Sequence, residues 1–168
     1  MKNENIVEKF LKHRDLRVEY QRKLIDKYKK SVVSIRVNYP GSNKDNLVTR
    51  KVNQIISNEL IKLLDNKIIF GNIYTSLEGP ISILVVNEHP FKLKKLCIDI
   101  EENHKIGRLV DADVYDENYC GISRINFGKC KRKCFICNDL AFICSRSGKH
   151  SEEEIISFIE NTLNSYIL

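Results

Sequence analysis

Apolar residues recur over the first thirty positions at Ile6, Val7, Phe10, Leu11, Leu16, Val18, Leu24, Ile25 and Tyr28, with charges between them. That spacing predicts one or two amphipathic helices, packed on a sheet with a basic face in solvent. At Ser31 the period changes. Ser31–Tyr39, SVVSIRVNY, alternates and is rich in β-branched residues, which predicts a strand ending at the turn dipeptide Pro40-Gly41. Leu47 to about Leu64 returns to helical spacing, with Val48, Val52, Ile55, Ile56, Leu60, Ile61 and Leu64 in one stripe and Asn46 or Asp45 as the cap. Lys67–Ser76 and Ile81–Asn87, joined across Leu77-Glu78-Gly79-Pro80, predict an antiparallel hairpin. Pro90 suits the first turn of a helix from Phe91 to about His104, which Gly107 ends. GRLVDADV, Gly107–Val114, then forms a strand.

Strand, helix, strand, strand, helix, strand is the ferredoxin-like βαββαβ order, an α+β class with an antiparallel sheet and helices on one face. One domain is expected: a helical segment over residues 1–30, the α+β core over 31–128, and a Cys-rich segment with a C-terminal helix over 129–168. Within the last part, Gly121–Gly128 reads as a short strand or a loop. Ser151 caps a final helix whose first turn, Glu152-Glu153-Glu154, favours the helix dipole. In this topology the first and fourth strands lie side by side in the centre, which brings Asn38 within reach of Asp111 and Asp113.

Those two carboxylates are the first candidates for chemistry. Two residues apart on a strand, they share one face while Val110, Ala112 and Val114 turn to the other. Such a pair suits Mg²⁺, which takes one or two protein carboxylates and leaves its other positions to water and substrate phosphates. Phosphoryl and nucleotidyl transfer need such a metal; solvated turn neighbours are the alternative. The loop after the first strand, with Gly41 and Lys44, can cradle a phosphate, although it lacks the Walker spacing and serves equally well as a strand-to-helix turn.

Composition narrows the partners. The net charge of +6 is spread through polar stretches, which implies a basic face and an anionic partner. The opening MKNENIVEKFLKHRD has no apolar core of signal-peptide length and no run approaches a membrane span, so a cytoplasmic protein is expected. Six cysteines in such a chain favour thiols or metal thiolates over disulfides. Cys134-x-x-Cys137 with Cys144 and His150 forms a candidate Cys₃His site for structural Zn²⁺, with Cys130 competing for a place. Small buried apolar cysteines and a helix-entry histidine are the alternative.

VNYPGSNKDN, EGPISILVVN, HKIGRLVDADVYD, the ISR of Ile122-Ser123-Arg124, and CFICNDLAFICSRSGKHSEEE follow one another from Val33 to Glu154. In these pieces the chain resembles the apo-citrate lyase phosphoribosyl-dephospho-CoA transferases, also called holo-acyl-carrier-protein synthases of citrate lyase. The resemblance implies a nucleotidyltransferase-type enzyme that attaches a prosthetic group to the acyl carrier protein subunit of citrate lyase. It implies triphosphoribosyl-dephospho-CoA as donor, attack by a carrier serine, and release of pyrophosphate. Asn38, Pro40, Gly41 and Lys44 fall on one family motif, Gly107, Arg108, Asp111 and Asp113 on the central one, and Cys134, Cys137, Cys144, Arg146, Ser147 and His150 on the last. Val110, Arg36 and Asp45 depart from the family pattern without removing a ligand.

The expected site follows from this. Asp111 and Asp113 hold Mg²⁺; Arg108, Lys44 and Arg124 neutralise phosphates; Asn38, Gly41 and Arg146 complete the substrate contacts. One carboxylate or His104 takes the serine proton, with helix capping as the alternative for His104. No nucleic acid and no membrane partner is expected. The competing readings are the same chemistry on the carrier subunit of malonate decarboxylase, and a non-catalytic, zinc-stabilised nucleic-acid-binding module. The sheet lacks the aromatic signature of an RNA-recognition motif.

Overall fold

The computed structural model describes residues 5–168. Helix α1 (Ile6–Tyr28) opens with a reciprocal cap between Asn5 and Glu8 and leads into β1 (Ser31–Val37). Helix α2 (Leu47–Leu64) starts at Asn46, whose side chain accepts the Thr49 N–H. The hairpin β2 (Ile68–Ser76) and β3 (Gly79–Val86) follows, then α3 (Pro90–Asn103), β4 (Val110–Tyr115) and the short β5 (Gly121–Ile122). Two helices close the chain, α4 (Ala141–Ser147) and α5 (Glu152–Ile167), the latter capped by Ser151. The five strands pair antiparallel throughout in the order β2-β3-β1-β4-β5. The expected central pairing of the first and fourth strands is present, and β5 adds a strand at one side.

Gly107–Leu109 is a correction to the expected strand: these residues form a 3-10 turn, and β4 begins only at Val110. Close packing explains it. A Cβ on Gly107 would stand 2.0 Å from the Ile100 carbonyl oxygen, so the chain can press against α3 and turn there only with glycine.

Alternation along the central strands sorts side chains into two layers. Val33, Ile35 and Val37 of β1 with Val110, Ala112 and Val114 of β4 meet α2, α3 and α5 in the larger core, which Val52, Ile56, Leu60, Leu93, Cys97, Ile159 and Leu163 fill. Val32, Ile81, Ile83 and Val85 face the other way, onto Leu24 and Ile25 of α1. Burying each large aliphatic chain here contributes roughly 1.5–3 kcal/mol. Only the C-terminal half of α1 is used in this way. Ile6, Val7, Leu11 and Leu16 remain exposed, so the apolar pattern of the first half does not meet the sheet.

The outer edge of β4 is closed by side chains where β5 is too short to reach. Glu101 accepts the Ala112 N–H at 2.9 Å, Lys94 donates to the Ala112 carbonyl at 2.7 Å, and Arg132 donates to the Val110 carbonyl at 2.7 Å. Glu101 and Lys94 are both buried, which the hydrogen bonds to backbone make tolerable.

Candidate active site

Strand register builds the site. Arg36 of β1 stands opposite Asp111 and Ser34 opposite Asp113, so both aspartates and Arg36 project from the face that α1 covers. Arg36 pairs with Asp113 at 2.9 Å and with Glu78, from the β2–β3 turn, at 3.4 Å. Glu78 is gripped a second time by Arg17 of α1, at 2.8 Å. Burial pulls the Arg36 guanidinium down in basicity, but Asp113, Asp111 and Glu78 outweigh it and hold the pKa above its ordinary value. Asp111 accepts from the Asn38 amide at 3.1 Å and pairs with Arg132, which also binds Glu101.

Beside Asp111 opens a cleft of ≈ 1190 Å³. The first half of α1 forms one wall through Val7, Phe10, Leu11 and Arg14, and the Asn38–Lys44 loop forms the floor. Residues from Arg132 to His150 form the far wall. Gly41 has φ +68°, the left-handed region that favours glycine, and a Cβ there would lie 2.6 Å from a Glu152 carboxylate oxygen, which the flexible Glu152 side chain would have to yield. Lys44 folds back to donate to the Tyr39 carbonyl at 2.5 Å. Burial, then the neighbouring Arg36, push its ammonium below the usual lysine pKa, against the pull of Glu152 and Glu78. Arg108 donates to the Cys134 carbonyl at 2.9 Å and lies over the Phe135 ring. Each of these two cations gives one such bond to a carbonyl, which leaves further donors to meet an anion.

Of the residues singled out in the sequence, Asn38, Gly41, Lys44, Arg108, Asp111 and Arg124 line this cleft, as do Cys134, Cys137, Cys144 and His150. Asp113 shares the strand face with Asp111 but does not line the cleft. The structure does not bring His104 or Arg146 there. His104 caps the C-terminus of α3, its ring 5.1 Å from Tyr166 and its Nδ1 accepting the Ile106 N–H. Burial holds its pKa below the usual histidine value, with Glu59 opposing. Arg146 lies over Phe142 on the exposed side of α4. Arg17, Glu78, Glu101 and Arg132 belong to the site's ionic framework and were not singled out. Arg132 stood in a basic run, KCKRK, with nothing to mark it, and Arg17 and Glu78 are 61 residues apart.

Two donor sets deserve comparison with a metal's needs. Asp111 and Asp113 offer partly exposed carboxylates from one strand face, Asp111 on the cleft and Asp113 beside it, and in this structure Arg132 and Arg36 pair with them, so a divalent cation there would share its oxygens with two guanidinium groups. Cys134, Cys137, Cys144 and His150 each offer a ligand atom, all within 4.8 Å of one another.

Residues 5–166 match the protein family described as apo-citrate lyase phosphoribosyl-dephospho-CoA transferase. The chain belongs to this family. A probable apo-citrate lyase phosphoribosyl-dephospho-CoA transferase of Streptococcus pyogenes is 32% identical over 161 residues, covering 93% of this chain and 84% of its own length. That of Vibrio cholerae is 29% identical over 95% of this chain and 92% of its own. A protein of Leuconostoc mesenteroides, "Protein CitXG", is 33% identical over 93% of this chain, which spans 34% of that longer protein. Membership makes this transferase-family chain an enzyme and displaces the binding-module reading. Among the described residues no helix is long and apolar enough to cross a membrane.

Proposed function

We propose that the protein transfers the 2′-(5″-phosphoribosyl)-3′-dephospho-CoA group from its triphosphate precursor to a serine of the apo acyl carrier subunit of citrate lyase. The observation that carries the reading is a cationic cleft beside Asp111 in a chain matched to the family over residues 5–166. The serine Oγ attacks the phosphorus nearest the ribose, a phosphodiester forms, the bond to the bridging oxygen breaks, and pyrophosphate leaves. Arg108 and Lys44 meet the phosphate oxygens and the departing pyrophosphate, with Arg124 at the rim. Asn38 holds Asp111 by its amide, and Arg36 holds Asp113, so the pair keeps a fixed spacing. Asp111 and Asp113 would hold Mg²⁺, which when bound neutralises charge on the phosphates. The serine proton passes to a carboxylate of the pair; His104 has no part, because it stands at the end of α3 against Tyr166. The apolar wall from α1, with Phe10 and Leu11, suits the non-phosphate part of the donor.

The test is the intact mass of apo acyl carrier subunit after incubation with this protein, Mg²⁺ and the triphosphate donor. A gain equal to the donor less pyrophosphate, absent without the protein, is expected. No gain with folded protein overturns the assignment, and a gain on the carrier of malonate decarboxylase alone redirects it.

A further inference from the structure

Residues 132–150 contain little regular structure, yet they form the far wall of the cleft, and four side chains with metal-binding atoms converge in them. Cys134 begins a tight turn closed by the Cys134 N–H to Asp139 carbonyl bond of 2.8 Å and the Lys133–Leu140 bridge, with Cys137 at its tip. Cys144 comes from α4, and His150 stands immediately before the cap of α5. The Cys137 and Cys144 sulfurs are 3.5 Å apart, and His150 Nε2 is 3.3 Å from Cys137 Sγ. Two thiolates on one tetrahedral zinc, with Zn–S about 2.3 Å, stand about 3.8 Å apart. A disulfide needs about 2.05 Å, and the ligand atoms of all four residues lie within 4.8 Å of one another, a grouping that an S–S bond between two of them would not use.

We propose that Cys134, Cys137, Cys144 and His150 bind one structural Zn²⁺, and that the ion holds the two arginines of the cleft wall in register. Binding takes three thiolates and a neutral imidazole; the thiol protons go to solvent, and the loaded site carries one negative charge amid basic neighbours. The coupling to the cleft is short. The first ligand, Cys134, gives its backbone carbonyl to Arg108, and Arg132 two residues earlier holds Asp111. Phe135, next to that ligand, stacks on Phe158 of α5 at 5.3 Å, and Arg108 also lies over its ring. The ion therefore ties three pieces of poorly packed chain, the turn, α4 and the start of α5, into one wall. The effect on transfer rests on the function proposed above, whereas metal binding does not.

The experiment measures metal directly. Protein purified without chelator is expected to carry one zinc per chain by elemental analysis. Reduced apo-protein titrated with Co²⁺ is expected to develop, at one equivalent, the visible bands of a tetrahedral thiolate site, which Zn²⁺ then bleaches. Cys137→Ser and His150→Ala should weaken binding at least tenfold, while Cys120→Ser and Cys130→Ser, both exposed and outside the cluster, should retain it. Absence of a tetrahedral spectrum in wild-type protein, or loss of metal in Cys130→Ser equal to that in Cys137→Ser, overturns the site. Zinc removal that leaves donor KM unchanged in active protein overturns the coupling alone. Zinc bound at one equivalent with no transfer to any carrier overturns the proposed function and leaves the site standing.

Discussion

Glu78 is the joint through which α1 is fixed over the cleft, and its replacement gives the sharpest stability test. The carboxylate is 11% exposed, Arg17 is 5% exposed and Arg36 26%. Glu78→Gln keeps the shape but removes the charge. Among the described residues Arg17 then has no other acid in ion-pair contact and is left as a buried unpaired cation, while Arg36 retains Asp113 at 2.9 Å. Breaking a buried pair from one side costs about 3–5 kcal/mol, and the partial exposure of Arg36 favours the lower end, about 3 kcal/mol. For a domain of this size that lowers Tm by roughly 6–12 °C. The double replacement Arg17→Met with Glu78→Gln removes both members, and should recover most of the loss because no uncompensated charge stays buried. Urea unfolding followed by circular dichroism measures all three proteins. A Glu78→Gln loss below about 0.5 kcal/mol, or a double variant as unstable as the single, would refute the argument that this pair is desolvated and coupled.

Asp111→Asn and Asp113→Asn are each expected to lower the transfer rate at least 100-fold with an unchanged far-ultraviolet spectrum; a near-normal rate in the mass assay removes the pair from the chemistry. Gly41→Ala should cost about 1–2 kcal/mol, from the left-handed backbone and the contact with Glu152. Adding Glu152→Ala should return only the steric share, and full recovery in unfolding experiments would mean that the backbone angle carries no strain. The lowered pKa of His104 makes the unfolded chain the better proton acceptor. Its contribution is absent well above the unfolded value of about 6.5 and becomes destabilising as pH falls below it toward the folded value. His104→Phe should therefore flatten the stability profile as pH falls below about 6.5, which paired melts would detect, and leave transfer intact.

Where local periodicity is strong the sequence discloses the structure closely. The alternation of VDADV places Asp111 and Asp113 on one face because the other three residues are buried in the main core. Asn46 and Ser151 begin their helices because their side chains satisfy the free N–H groups of a first turn. Legibility fails where contacts are distant or chemistry is repeated. Arg17 has helical spacing like any exposed arginine of α1, and only the β2–β3 turn folding beneath it turns it inward. Lys129, Lys131, Arg132 and Lys133 look alike in a row, although Arg132 alone among them meets Asp111 and Glu101. His104 had the residue type for proton transfer but belongs to a helix end on the opposite layer, which the topology decides and the motif does not.

The closure of the β4 edge by Lys94, Glu101 and Arg132 also determines how the molecule meets copies of itself. A free strand edge is a template on which another chain can add a strand, and such addition propagates into aggregates. Here an incoming strand would have to expel a buried lysine and a buried carboxylate from the bonds that satisfy them before it gained any ladder of its own. The enzyme can thus keep a sheet margin next to an open cleft without offering that margin for polymerisation.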